Sequence, residues 1–152
     1  MDTYAKRREY SDAHLEIVKS ALGRKFITVS NFTQDVKLGY DLVVLNHQFA
    51  VRIRQMRYSN FADFTLRSSG GGDVSEYAKM LRSTAPDYLF YGYSLDKNTL
   101  AAGYLIDLRV WKKHLLNGEI RPSFRRNKDG SHFVAFLFRT PKGLMDFVDQ
   151  IV

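Results

Sequence analysis

Apolar residues recur at helical spacing in four parts of the chain. The first part follows Ser11 or Asp12, either of which can cap a helix, and it ends at Gly23. The apolar face of this predicted helix comprises Leu15, Val18, Ala21 and Leu22. The other three parts predict helices over residues 73–81, 110–116 and 140–151. In the last of these, Thr140-Pro141 opens the helix, and the inward positions are Leu144, Phe147, Val148 and Ile151.

Between these helices, short apolar runs and alternation with period two predict strands. The strands cover residues 26–29, 40–45, 49–54, 64–67, 88–94, 100–108 and 132–138. The second and third are separated by Asn46-His47-Gln48, so we expect a hairpin. With Leu45 opposite Gln48, Asp41 lies opposite Arg52 and not among apolar side chains. We expect this even register because a buried carboxylate without a partner is costly.

These elements predict one α/β (α+β) domain over residues 1–152, with a mixed central β-sheet flanked by helices. The chain is 45% hydrophobic and 26% charged, which is typical of a folded globular protein. It contains no cysteine, which excludes disulfides, iron–sulfur clusters and thiolate zinc sites. The sequence shows neither a membrane-spanning run nor a signal peptide, so we expect no membrane association and a cytoplasmic location.

Positive charge is concentrated in one part of the chain. The net charge is +7, and +6 of it lies between positions 109 and 128, where Glu119 is the one acid. The basic residues of this window are Arg109, Lys112, Lys113, Arg121, Arg125, Arg126 and Lys128. Such clusters attract phosphate backbones through counterion release, so nucleic acid is the expected partner. A solvated basic face is the alternative, and an anionic membrane surface is less favoured because no apolar amphipathic face accompanies the charges.

The predicted strand 49–54 carries a second basic group. Arg52 and Arg54 share one face of it, and Arg57, Tyr58 and Phe61 follow. Arginines next to aromatic rings can bind phosphate and stack on bases. The alternative is that these arginines occupy the solvent-facing side of a half-buried sheet. Tyr88, Phe90, Tyr91 and Tyr93, in contrast, fall in an apolar strand and are expected in the core.

The order helix, strand, strand, strand, helix, strand resembles the PD-(D/E)xK nuclease-like fold, also called the restriction-endonuclease-like core. The resemblance covers roughly Ser11 to Asp107. The stretches 64–69, 76–79 and 86–93 also resemble those of small prokaryotic and phage proteins. In this family, an acid at the start of the second core strand and an acid-x-Lys motif on the third bind divalent metal, often assisted by a glutamate of the first helix.

The resemblance implies a metal site with a changed second half. Asp41 matches the first acid and Glu16 the helix glutamate, while the acid-x-Lys position reads Ala50-Val51-Arg52. Glu76 is then the candidate second ligand for Mg²⁺ or Mn²⁺. The implied chemistry is attack of metal-activated water on a phosphodiester, with Arg52 stabilising developing charge. Each acid has a structural alternative: a capping box Asp73-Val-Ser-Glu76 for Glu76, a solvated helix face for Glu16, and an ion pair with Arg52 or Arg54 for Asp41.

Two function classes follow. The first is a nucleic-acid-binding protein of nuclease-like fold, with metal-dependent endonuclease or exonuclease activity left open, as is the choice between DNA and RNA. The second is a non-enzymatic protein-interaction module that retains the fold, such as a phage-encoded inhibitor or accessory factor. Phosphate-binding loops, dinucleotide-binding motifs and nucleophile elbows do not occur in the sequence.

Overall fold

A computed structural model describes residues 4–22, 27–29, 42–44, 46–69 and 74–152 of the chain. Its helices are α1 (Tyr4–Leu22), α2 (Glu76–Leu81) and α3 (Leu108–Leu116), with a 3₁₀ helix over Met56–Phe61. The longer strands are β3 (His47–Gln55), β4 (Asp63–Arg67), β5 (Tyr88–Asp96), β6 (Thr99–Asp107) and β8 (His132–Leu137). The shorter ones are β1 (Ile27–Val29), β2 (Leu42–Val44), β7 (Ser123–Arg126), β9 (Arg139–Thr140), β10 (Gly143–Leu144) and β11 (Val148–Gln150). The fold is therefore mixed α+β, as the sequence predicts.

The principal sheet has six strands in the order β1-β2-β3-β5-β6-β11. Its strands β3 and β5 are parallel, and the other neighbouring pairs are antiparallel, so the sheet is mixed. The parallel step requires a crossover, and the 3₁₀ helix, β4 and α2 supply it. Within that crossover, β4 leaves the principal sheet and joins a second, three-stranded sheet of order β4-β8-β7. The sequence indicates these strands but not their separation into a second sheet.

Both faces of β3 are covered. Phe49 and Ile53 pack with Val18 of α1, while Ala50 belongs to the larger core shared by the two sheets and α3. Arg52 and Arg54 lie on the same side of β3 as Ala50, because side chains alternate along a strand. The interpretation of these arginines as residues on a solvent-facing side is therefore wrong: their side of the strand faces β4 and α2.

Aromatic rings fill the space between the two sheets. Phe64 of β4 stacks on Phe136 of β8 and meets Tyr91 of β5 and Trp111 of α3 edge-on. These side chains are fully buried, and edge-to-face contacts add to the burial of their area. Asp107 fixes the start of α3, since its side chain accepts the N–H groups of residues 109 and 110. The predicted core role of the β5 aromatics is confirmed for Phe90, Tyr91 and Tyr93, which are buried.

Two predicted helices differ from the structure. Helix α1 begins at Tyr4, so Ser11 and Asp12 lie inside it; nothing between Tyr4 and Leu22 breaks a helix. The predicted helix over residues 140–151 is wrong. Pro141 lies in the turn between β9 and β10, Gly143 has a positive φ of 125°, and β11 pairs with the outer side of β6. Residues 148–150 thus form a strand, because they pair with the open edge of β6, despite their helical spacing of apolar residues. Phe147 and Val148 are buried as expected.

The β2–β3 hairpin forms, but its register is displaced by two residues. Val44 lies opposite His47 and Val43 opposite Gln48, whereas the prediction placed Leu45 opposite Gln48. Asn46 lies in the turn with a φ of 69°, a left-handed conformation that asparagine tolerates. Within the described residues, no helix combines the length and apolar character needed to cross a membrane.

Candidate functional site

An ion pair between β3 and α2 occupies the side of the principal sheet that faces β4. Arg52 Nη1 donates to Glu76 Oε2 over 2.7 Å, and the same oxygen accepts the backbone N–H of Arg67 over 2.8 Å. The two side chains are only 22% and 23% exposed. Burial is the largest single influence on the pKa of Arg52 and lowers it, but the attraction of Glu76 and Tyr91 and the hydrogen bonds to both together raise the pKa of the guanidinium.

This arrangement also shows what Glu76 does at the start of α2. Ser75 is the cap, and its hydroxyl accepts the N–H of Ala78. Glu76 is the first helical residue, and its carboxylate turns to β4 and Arg52 rather than to the helix end. The proposed partner in a capping box, Asp73, lies outside the described residues. Glu76 thus joins three elements, β3, β4 and α2, through one oxygen.

The donor set does not fit a divalent cation. A guanidinium 2.7 Å from the Glu76 carboxylate repels a metal ion and occupies an oxygen that would ligate it. Glu16 lies on α1 and pairs with Lys19 at 2.7 Å; because α1 covers the opposite face of the sheet, the structure does not bring Glu16 and Glu76 together. Asp41 lies outside the described residues. Within the parts of the chain that the structure describes, no three histidine, aspartate or glutamate side chains form a metal-binding group.

The ring of Tyr58, in the 3₁₀ helix, contacts two arginines: Arg54 near the end of β3 and Arg57 in the same 3₁₀ helix. The guanidinium carbon of Arg54 is 4.3 Å from the ring centroid of Tyr58, and that of Arg57 is 4.9 Å away. Arg54 also donates to the hydroxyl of Tyr91 over 3.2 Å, and that hydroxyl lies 3.3 Å from Thr65 Oγ1. The half-buried Arg54 is thus fixed by neutral partners, while Arg57 is exposed.

Asp63, at the start of β4, is a candidate residue that the sequence interpretation missed. It is 5% exposed, and its Oδ1 has no hydrogen-bond partner. Burial raises its pKa, against the opposing charges of Arg54 and Arg125. The hydroxyl of Tyr93 donates to its backbone oxygen over 3.1 Å. The one available sequence signal was an acid directly before the predicted strand 64–67.

The basic residues of the window 109–128 lie in two places, on α3 and around β7. Arg125 and Arg126 are exposed on β7, with the exposed Arg121 and Lys128 to either side of that strand. On α3, Lys113 is exposed, and Lys112 Nζ donates to the backbone oxygen of Arg82 at the end of α2. Arg109 pairs with Asp107 at 3.2 Å. Of these residues, Arg125 is the one whose charge reaches the same carboxylate as Arg54, namely Asp63.

Comparison with known proteins adds no assignment to this geometry. No protein-family model matches the chain, and no curated protein matches it significantly.

Proposed function

We propose that this chain is a nucleic-acid-binding protein of nuclease-like fold that contacts the phosphodiester backbone through Arg54 and Arg57. The observation that carries the proposal is the pair of guanidinium groups held on the Tyr58 ring. Among the described residues, no carboxylate lies within ion-pairing distance of Arg54 or Arg57. The charge of Arg54 acts on the buried Asp63 without forming an ion pair, Arg57 is exposed, and the Tyr58 ring holds both side chains in place before a ligand binds.

The order of elements supports the nuclease-like part of the proposal. Helix α1 is followed by β1, β2 and β3, and then by α2 and β5, which is the order that the resemblance implies; β4 is an insertion before α2. In the position of the acid-x-Lys motif, Ala50 is buried and Arg52 neutralises Glu76. These features favour binding over metal-dependent hydrolysis, because the charge that would attract a cation is already satisfied by an arginine.

Binding is tested with labelled duplex DNA, single-stranded DNA and RNA of one length, each over a series of salt concentrations. We expect log Kobs to fall linearly with log salt. The variant Arg54→Gln/Arg57→Gln should bind at least about tenfold more weakly, with a slope shallower by about 1–2, since two phosphate contacts are lost. The matched control is Lys6→Gln/Lys142→Gln, which removes the same charge at two exposed positions, one of them on α1, across the principal sheet.

If the two double variants lose affinity equally, net charge explains the binding, and not the group of Arg54, Arg57 and Tyr58 (the Tyr58 cluster). No binding of the wild type at low salt would refute the proposal altogether. Cleavage is examined separately, with plasmid DNA and RNA in Mg²⁺ or Mn²⁺. Glu76 would have to leave Arg52 before it could bind a metal ion. We therefore expect any cleavage seen with the wild type to be unchanged in Asp41→Ala and in Glu76→Gln.

A further inference from the structure

Strand β7 forms an outer edge of the three-stranded sheet. The strand order is β4-β8-β7, and within the described parts of the chain β8 is the strand that pairs with β7. All four residues of β7 are exposed. An exposed strand edge presents unpaired N–H and C=O groups, to which another extended chain can add.

The hydrogen bonds of the β7–β8 hairpin show which backbone groups face outward. The N–H of Asn127 donates to the oxygen of Ser131 over 2.8 Å, so these two residues direct their backbone groups towards each other. Direction alternates along a strand, and Arg126 therefore directs its backbone away from β8, as does Phe124. The hydrogen bonds of His132, which lies opposite Arg126, are consistent with this orientation. Its N–H donates to Ser69 Oγ and its oxygen accepts from the N–H of Ser68, so its backbone groups face the β4 side and not β7.

The side chains around this edge define what can bind there. Phe124 is 63% exposed, and its ring meets Tyr77 of α2 edge-on, with centroids 6.0 Å apart. Arg125 and Arg126 lie on the strand itself. The nearby acids already accept hydrogen bonds within the fold, Glu119 from His114 and Asp129 from Ser131. The edge thus combines an apolar ring with net positive charge.

We propose that β7 binds an extended acidic segment of a partner protein, which adds to the sheet as a fourth strand. Its backbone pairs with Phe124 and Arg126, its carboxylates meet Arg125 on one face of the strand, and its apolar side chains cover Phe124 on the other face, where Arg126 also lies. A second copy of β7 is disfavoured because it would bring the arginines of two chains together. Nucleic acid is also disfavoured here, because a phosphodiester accepts hydrogen bonds but cannot donate to the two outward carbonyl groups. This inference is independent of the Tyr58 cluster.

The test uses a capped, fluorescent peptide of alternating glutamate and valine, with a lysine–valine peptide as the control. Wild-type protein should bind the acidic peptide and not the basic one. Arg126→Pro removes the outward N–H and should weaken binding about tenfold more than Arg126→Ala, since both variants lose the same charge. Proline is tolerated at this position because its nitrogen faces away from β8, and circular dichroism checks that the variant folds.

A second measurement does not depend on a protein variant. The acidic peptide is N-methylated either at the residues whose N–H would face β7 or at the residues between them. Only the first peptide should lose affinity, and hydrogen exchange at the amides of Phe124 and Arg126 should slow when the unmodified peptide binds.

Three results would overturn the inference. The first is equal binding by Arg126→Pro and Arg126→Ala together with equal binding by the two methylated peptides. The second is slow exchange at Phe124 and Arg126 in the protein alone, which would mean that the edge is already paired. The third is an edge that binds short oligonucleotides but not the acidic peptide.

Discussion

Replacing Glu76 by glutamine tests the central ion pair directly. The amide oxygen can still accept the N–H of Arg67, but Arg52 loses its counter-charge among the described residues, and its Nε already has no hydrogen-bond partner. Breaking a fully buried pair costs about 3–5 kcal/mol, whereas an exposed pair contributes about 0–1 kcal/mol. Because both side chains remain about one-fifth exposed, we expect Glu76→Gln to lower the free energy of unfolding by about 2–3 kcal/mol.

Urea unfolding of four proteins in a double-mutant cycle isolates the pair: wild type, Glu76→Gln, Arg52→Met and the double variant. Arg52→Met should cost less than Glu76→Gln, because the remaining carboxylate keeps the N–H of Arg67 and reaches solvent. The double variant should regain stability relative to Glu76→Gln, with a coupling energy of about 1–2 kcal/mol. The same cycle on the pair of Glu16 and Lys19 within α1, whose glutamate side chain is 64% exposed, is the control, with an expected coupling below about 0.5 kcal/mol.

The competing explanation is that Glu76 holds a metal ion. In that case Mn²⁺ would raise the melting temperature of the wild type but not of Glu76→Gln. The ion-pair reasoning is refuted if this shift is observed, or if Glu76→Gln costs less than about 0.5 kcal/mol in the absence of metal.

Three further predictions concern separate parts of the fold. Burial raises the pKa of Asp63, so the folded state binds the proton more tightly than the unfolded chain; the contribution of Asp63 to stability should therefore fall as pH rises above about 4, and Asp63→Asn should gain on wild type over this range and be at least as stable at pH 7. Unfolding of both proteins across this range checks the sign, and a variant that is less stable at neutral pH would contradict it. Hydrogen bonding to Asp146, with a further bond to Glu119, raises the pKa of His114, so its contribution is complete below about pH 6.5 and is lost above the folded-state pKa. His114→Gln should thus be more destabilising at about pH 6 than at about pH 9, and an equal difference at both would exclude the charged form. Gly92→Ala places a methyl group 2.8 Å from Ile53 Cδ1 and should cost about 1–3 kcal/mol in urea unfolding, unlike an unstrained glycine-to-alanine change, which stabilises slightly.

The parts of the fold that depend on neighbouring residues could be predicted from the sequence. Helix α3 has a cap at its start and glycine after its end, and β5 and β6 are joined by a short polar turn, so local signals agree with the final structure. The aromatic run of β5 was expected in the core because no polar face interrupts it. The β2–β3 hairpin also forms, and its register differs because the turn lies between Val44 and His47, with Asn46 in the left-handed conformation, and not between Leu45 and Gln48.

The candidate site depends on contacts between distant residues, and local pattern could not supply it. Glu76 carries a plausible capping signal three residues after Asp73, yet its partners are Arg52 and the backbone of Arg67. Whether Glu76 caps α2 or pairs with Arg52 depends on where β4 lies. The position of β4 is set by its pairing with β8, about 70 residues later in the chain. The error at residues 140–151 has the same origin, because the partner of β11 is the edge of β6.

The position of Ala50 shows why the departure from the motif of the nuclease-like family that the sequence resembles is more than one missing ligand. Ala50 is 4% exposed and belongs to the core that also contains Leu89 and Tyr91. A carboxylate there would lie against apolar and aromatic neighbours, at a cost of several kcal/mol unless it were neutralised. Two residues on, Arg52 pairs with Glu76, the acid that the resemblance makes the candidate second ligand. The core packing at position 50 and the charge at position 52 therefore support each other: with no acid at 50, Arg52 is free to pair with Glu76, and that pair joins α2 and β4 to β3 on the face where the resemblance would place a metal ion.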